Sequence, residues 1–329
     1  MASPTNTLGI RRKAKRQLLI MKKIHLNYSL SLMISFACAF VLLFAFPSYA
    51  QEELTPLQKV QSLKNPSFAK RITVYYSPGY EKRAKELQSM VEEAMGFYER
   101  KLKLRAELSL AVLTRDQWQQ VRAVPYGLPN VSSPPHVAFL PATADGVVTA
   151  DALSLKSNLS PATMKKLKSS GYTFDQAAVK FVDLIGLHEL GHTYAVSLGL
   201  VPPRPNKWFS EFLASYFAYA YLREKRPKLA TLFYVMAADL ALEVPRPKYT
   251  SLEDFERLYS GVGPKNYGWY QGRFFQRVAQ VYDAKGLSFI AEVLNAFPAA
   301  EGESLPFEVV LQRLEKISPG FMEWSKDLR

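Results

Sequence analysis

Residues 174–198 read FDQAAVKFVDLIGLHELGHTYAVSL, and His188-Glu189-Leu190-Gly191-His192 within them sets how the rest of the chain is understood. Val179, Val182, Ile185, Gly186, Leu190 and Val196 predict an apolar helix that must be buried. Two histidines four residues apart lie one above the other on a single helix face. From there their ring nitrogens can reach one ion at about 2.0–2.1 Å. Glu189 projects beside them, able to reach water on such an ion without being a ligand. Burying two imidazoles and a carboxylate in an apolar helix costs several kcal/mol unless partners are supplied, and a metal ion supplies them. Gly191 leaves room for a second backbone to approach. Only four histidines occur in the chain, and this motif holds two of them.

A zinc site of this type takes a third protein ligand and keeps one position for water. His136 is the other histidine of residues 51–329, far upstream. Downstream stands Glu211, in the segment WFSEFLAS of residues 208–215. The eighteen residues between His192 and Glu211 let the first helix end, a loop over 199–206 turn back, and a second helix present Glu211 near its start. Asn206 or Ser210 stands where it can cap that second helix. Trp208, Phe209, Phe212, Leu213, Tyr216 and Phe217 surround Glu211 in sequence, so its carboxylate needs a cation.

HExxH followed by eighteen residues and a Glu, with Ala214 three positions beyond, resembles the gluzincin zinc peptidases. From about Arg71 to Gly286 the chain resembles their peptidase-MA-like branch, through ITVYY, the helix after Glu81, HVAFLP, LHELGH, WFSEFLAS and YGWYQGRFF. The resemblance implies a zincin-like fold with one Zn²⁺ per chain, held by His188, His192 and Glu211, with Glu189 as base. It also implies a tyrosine that donates to the oxyanion; Tyr270, slightly favoured, and Tyr267 are the candidates. Tyr270, Phe274, Val278 and Val281 equally follow the spacing of a helix core. Many relatives orient a ligand histidine with an acidic residue four after the ligand Glu; Ser215 stands there, as a weaker partner. The Gly-x-Met-x-Asn segment of related aminopeptidases is absent from FLPATADGVVTA at 139–150, which argues against aminopeptidase activity.

The predicted class is α+β, with a small N-terminal α/β layer, a mainly helical half, and the active-site helix between them. Strands are expected at 72–76, 107–113 and 136–140, with a helix over 81–103 and a Pro-, Asn- and Ser-rich loop at 127–135. Further helices are expected at 228–242, 251–260, 266–284 and 306–315. Residues 51–69 read as a short helix or an N-terminal arm, and 70–329 as one catalytic domain whose α/β half ends near 165. The 136–140 strand is expected beside the cleft, where it can pair with an extended peptide. His136, Ala138 and Phe139 are therefore the candidate substrate contacts.

Residues 1–50 hold seven Lys/Arg and no Asp or Glu, then an uncharged apolar run over 28–46, then Ser48-Tyr49-Ala50. That order predicts a signal peptide cut after Ala50, or alternatively an uncleaved membrane anchor through 28–46. Either way residues 51–329 are exported, to the periplasm or beyond. Cys38, inside the apolar run, is the one cysteine, so disulfide frameworks and Cys-based zinc sites are excluded. The formal charge is +13, but residues 51–329 carry only +6, and no basic–aromatic motif points to nucleic acid. The expected partner is a peptide or protein substrate, and the expected activity is zinc-dependent peptide hydrolysis. The competing readings are a non-catalytic envelope binding or scaffold protein on the same fold, and a zinc amidase acting on a non-protein substrate.

Overall fold

The computed structural model describes residues 54–199, 206–243, 245–298 and 305–328. The predicted leader of residues 1–50, including Cys38, lies outside the described residues, as do residues 200–205. No helix among the described residues is long and apolar enough to cross a membrane.

The architecture is α+β. Helix α1 (Pro56–Ser62) and strand β1 (Ser67–Ala69) lead into β2 (Thr73–Tyr76), α2 (Glu81–Leu102), β3 (Ser109–Leu113), α3 (Arg115–Val121), β4 (Asn130–Val131) and β5 (Val137–Pro141). The sheet order is β1-β2-β3-β5-β4. Strands β2, β3 and β5 run parallel, while β1 and β4 are antiparallel edges. Side chains alternate across the pleat. Val74, Leu110, Val112, Ala138 and Leu140 join the main helical core. Ala111, Leu113, Val137 and Phe139 face the other way, under Val60, Trp118, Val121 and Tyr126. Covered on both faces, β3 and β5 are nearly unbroken apolar runs, as interior parallel strands require.

Two expectations are corrected here. Of residues 51–69, read as a short helix or an arm, Pro56–Ser62 do form a helix, α1, opened by a capping box between Thr55 and Gln58, but Ser67–Ala69 add a strand, β1, that pairs with β2 in the sheet layer. The strand expected to lie open beside the cleft is β5, which is hydrogen-bonded on both sides, by β3 and β4. Ala138 is buried in the helical core, and Phe139 packs edge-on against Trp118 at 6.2 Å. Neither has a free edge to offer. The open edge comes instead from the segment read as a loop, as the two-residue strand β4.

From residue 147 the described chain is helical. Helices α4 (Val147–Ser154) and α5 (Pro161–Ser169) precede the two long ligand helices, α6 (Phe174–Ser197) and α7 (Lys207–Lys225). Next comes α8 (Pro227–Tyr234), which passes through a π-helical turn at Val235–Asp239 into Leu240–Leu242. Helix α9 (Leu252–Leu258) ends in a 3₁₀ turn at Tyr259–Val262, followed by α10 (Pro264–Lys285), α11 (Ser288–Ala296), α12 (Phe307–Ile317) and α13 (Phe321–Asp327).

Helix α6 starts from a capping box of Thr173 with Gln176. It crosses the sheet closely, for a Cβ on Gly186 would lie 3.1 Å from a methyl of Leu140. Its buried stripe is narrower than expected: Val179 and Val196 are 39% and 51% exposed. Against α7 the approach is backbone to backbone. A Cβ on Gly191 would sit 2.4 Å from the Ala214 carbonyl oxygen.

Candidate metal centre

That close approach of α6 and α7 brings the predicted ligands together. One ligand atom each from His188, His192 and Glu211 lies within 4.8 Å of the others, so the group can hold a metal ion. The Nε2 atoms of His188 and His192 stand 3.2 and 3.6 Å from the same carboxylate oxygen, Oε2 of Glu211. The two imidazole rings are perpendicular, with centroids 4.6 Å apart. Glu211 is 3% exposed, at the start of a helix whose neighbouring side chains are nearly all apolar.

Each donor is held from behind. His188 Nδ1 lies 3.1 Å from the Ser215 hydroxyl, and His192 Nδ1 lies 3.1 Å from that of Ser210. A ring that donates its Nδ1–H to serine keeps the Nε2 lone pair turned to the cluster. Ser215 therefore stands where expected, and Ser210 proves to be its counterpart rather than a helix cap. Asn206 occupies the cap position of α7, but its side-chain amide donates to the Leu305 carbonyl. On Glu211, the Tyr259 hydroxyl donates to Oε1 at 2.6 Å and Gln271 Nε2 to Oε2 at 2.8 Å. Tyr259 opens the 3₁₀ turn with φ 48° and ψ −121°, a conformation that costs a non-glycine residue about 1–3 kcal/mol. Lys207 covers its ring with the ammonium 5.0 Å from the centroid.

Electrostatics separate the two carboxylates. Burial works to raise Glu211, yet the charges and hydrogen bonds of His192 and His188 hold it well below the usual range. Burial raises Glu189, and here the histidines offset it only in part. Burial acts to lower His192, but Glu211, by charge and hydrogen bond, and Glu189 together raise it. Glu189 is 6% exposed, and the nearby backbone N–H of Val131 on β4 favours its charged form, though less than burial disfavours it. The neighbouring Ser132 N–H donates inward to Val137. Alternation along the strand therefore turns the Val131 N–H to the open edge of the sheet. Sheet edge and ligand helix thus meet at Glu189.

The tyrosines divide. Tyr270 is fully buried among Phe255, Phe274 and Trp269, and its hydroxyl donates to the Ser251 carbonyl at 2.7 Å. The slightly favoured candidate is therefore corrected to a core residue, in keeping with its helical spacing. Tyr267 lies beside the cluster, edge to Tyr259 at 5.8 Å; burial first, and then the charge of Glu211, push its hydroxyl pKa well up. His136 uses Nδ1 on the Ser132 carbonyl at 2.8 Å, within the turn between β4 and β5. Tyr259, Gln271, Ser210 and Val131 were not foreseen in these roles. Nothing in their local sequence marks them, because tertiary packing alone brings them to the ligands.

No family model, curated protein or solved structure matches the chain.

Proposed function

We propose that this chain is a zinc-dependent metallopeptidase of gluzincin type, working outside the cytoplasm. The observation that carries the proposal is the convergence of His188, His192 and Glu211 on one point, with a buried non-ligand carboxylate, Glu189, beside them. Two imidazoles and a carboxylate, each braced from behind, suit zinc in charge and ligand softness. Two buried carboxylates so close together also favour a cation between the helices. When bound there, zinc supplies Lewis acidity that polarises a carbonyl and acidifies water.

The chain's own residues supply the rest. Glu189 takes a proton from the attacking water and returns it to the leaving amine, a cycle suited to a carboxylate whose pKa is raised. The open edge of β4 offers backbone hydrogen bonds to an extended peptide and so aligns its carbonyl near Glu189. Tyr259 and Gln271 fix the Glu211 carboxylate. The basic, apolar and small-residue order of the first fifty residues supports export.

The test is made on the purified full-length chain. Elemental analysis is expected to find one zinc per chain, and mass spectrometry to find cleavage products from a diverse peptide set. A chelator should abolish cleavage, and added zinc should restore it. Stoichiometric zinc with no peptide cleaved would remove the peptidase reading and leave the amidase or binding-protein readings.

A further inference from the structure

Arg122 follows α3 directly, on the path to β4, and its charge is not neutralised there. Its guanidinium stacks on the Phe139 ring at 4.7 Å. Its Nε is buried without a hydrogen-bond partner. No carboxylate forms an ion pair with it among the described residues, although it lies within electrostatic reach of Glu189. On the same face of the sheet Asn130 stands opposite Phe139, and its side-chain oxygen is also buried and unpartnered. Two unsatisfied polar groups, one of them cationic, therefore flank the open edge of β4. Buried polar groups in native proteins are nearly always satisfied, and a cationic donor left so beside an edge is suited to an acceptor on a ligand that arrives there.

Strand geometry says which part of a ligand would arrive. Residues opposite one another on adjacent strands project to the same face, and successive residues alternate. A peptide added to β4 would send the side chain opposite Val131 to the face of Ala138, the side of α6 and the metal cluster. The next side chain, opposite Asn130, would project to the face of Phe139, towards Arg122. A carboxylate there would meet an arginine lacking an anionic partner, with the planar fork that matches it.

We propose that Arg122 anchors an Asp or Glu side chain of an extended peptide, one residue along from the position opposite Val131. The inference rests on the peptidase reading above, and it narrows the substrates to acidic peptides. Arg122 is thus a specificity-determining residue.

Binding and turnover are measured separately. The full-length Glu189→Gln chain, loaded with zinc, is titrated with fluorescent peptides that differ only by Glu or Gln at one scanned position. Anisotropy is expected to show the Glu peptide binding about tenfold more tightly at one position, the gain of one charge-assisted contact. Arg122→Gln on that background should erase the difference. Arg122→Glu should instead create a preference for Lys at the same position, a gain that a misfolded chain cannot show. A Glu preference that survives Arg122→Gln, or no preference at any position, overturns the proposal. Cleavage by the parent chain is scored in parallel. An Arg122-dependent preference without turnover keeps the anchor and removes the hydrolytic reading. Turnover without that preference removes the anchor alone.

Discussion

The two walls of the site are built differently. On the helix wall, Glu211 receives hydrogen bonds from Tyr259 and Gln271, and the histidines beside it are backed by Ser215 and Ser210. On the sheet wall, Glu189 has only the backbone N–H of Val131 nearby to favour its charge apart from the histidines, and Arg122 and Asn130 keep unpartnered polar atoms. The same burial acts on both carboxylates, yet Glu211 is driven down and Glu189 up. On the proposed reading, the carboxylate that stays charged beneath an ion is the one its neighbours over-determine. On the same reading, the carboxylate proposed to gain and lose a proton is left with few. Pairs of acids pushed apart in this way mark a division of labour.

The sharpest way to break this comparison is to neutralise each carboxylate in turn. Glu189→Gln is expected to keep one metal ion per chain while turnover falls by roughly 10²–10⁴-fold. Glu211→Gln is expected to lose stoichiometric metal, and turnover with it. Elemental analysis beside a peptide-cleavage assay checks both. Equal turnover by Glu189→Gln and the parent would remove the base assignment.

A smaller effect is expected where the walls depend on one backbone contact. Ala favours an isolated helix over Gly by about 1 kcal/mol. At residue 191 the added methyl would meet the Ala214 backbone at 2.4 Å, so α6 and α7 must separate. Gly191→Ala is therefore expected to destabilise the chain by about 3 kcal/mol, against propensity. Thermal unfolding reads this, together with weaker metal binding. A raised melting temperature would mean that the ligand helices do not touch as described.

How much of this was legible in the sequence follows the same division. The helix wall was largely readable. His188 and His192 have a fixed helical spacing, Glu211 stands out as a carboxylate in an aromatic run, and Ser215 falls one turn beyond it. Those relations lie within single helices, where periodicity places side chains. The sheet wall was not readable. Strand β4 is only Asn130 and Val131, inside a Pro- and Ser-rich stretch with no period to detect. The apolar run at β5 therefore stands out as the strand to pair with a peptide, although such a run marks an interior one. Strand β1 is hidden for the same reason, since it has three residues. Tyr259 was hidden differently: a positive φ is usually announced by glycine, and here a tyrosine carries it.

Tyr259 and Tyr270 give the finest test, because each donates one hydrogen bond at nearly the same distance. Tyr259 donates to a ligand carboxylate at 2.6 Å, Tyr270 to a backbone carbonyl at 2.7 Å. Removal of either hydroxyl should cost about 1 kcal/mol of stability, the net worth of such a bond. Only the first should reach the metal. Partners that orient a ligand typically change metal affinity by about 10–100-fold. Tyr259→Phe is thus expected to weaken zinc binding by about tenfold in competition with a chelator of known affinity. Tyr270→Phe should leave that affinity unchanged while lowering the melting temperature by a similar amount. Gln271 still holds Oε2 in the Tyr259 variant, which keeps the loss near the lower end of the range. Equal zinc affinities in the two variants would mean that the carboxylate needs no bracing, and the contrast between the walls would rest on Glu189 alone.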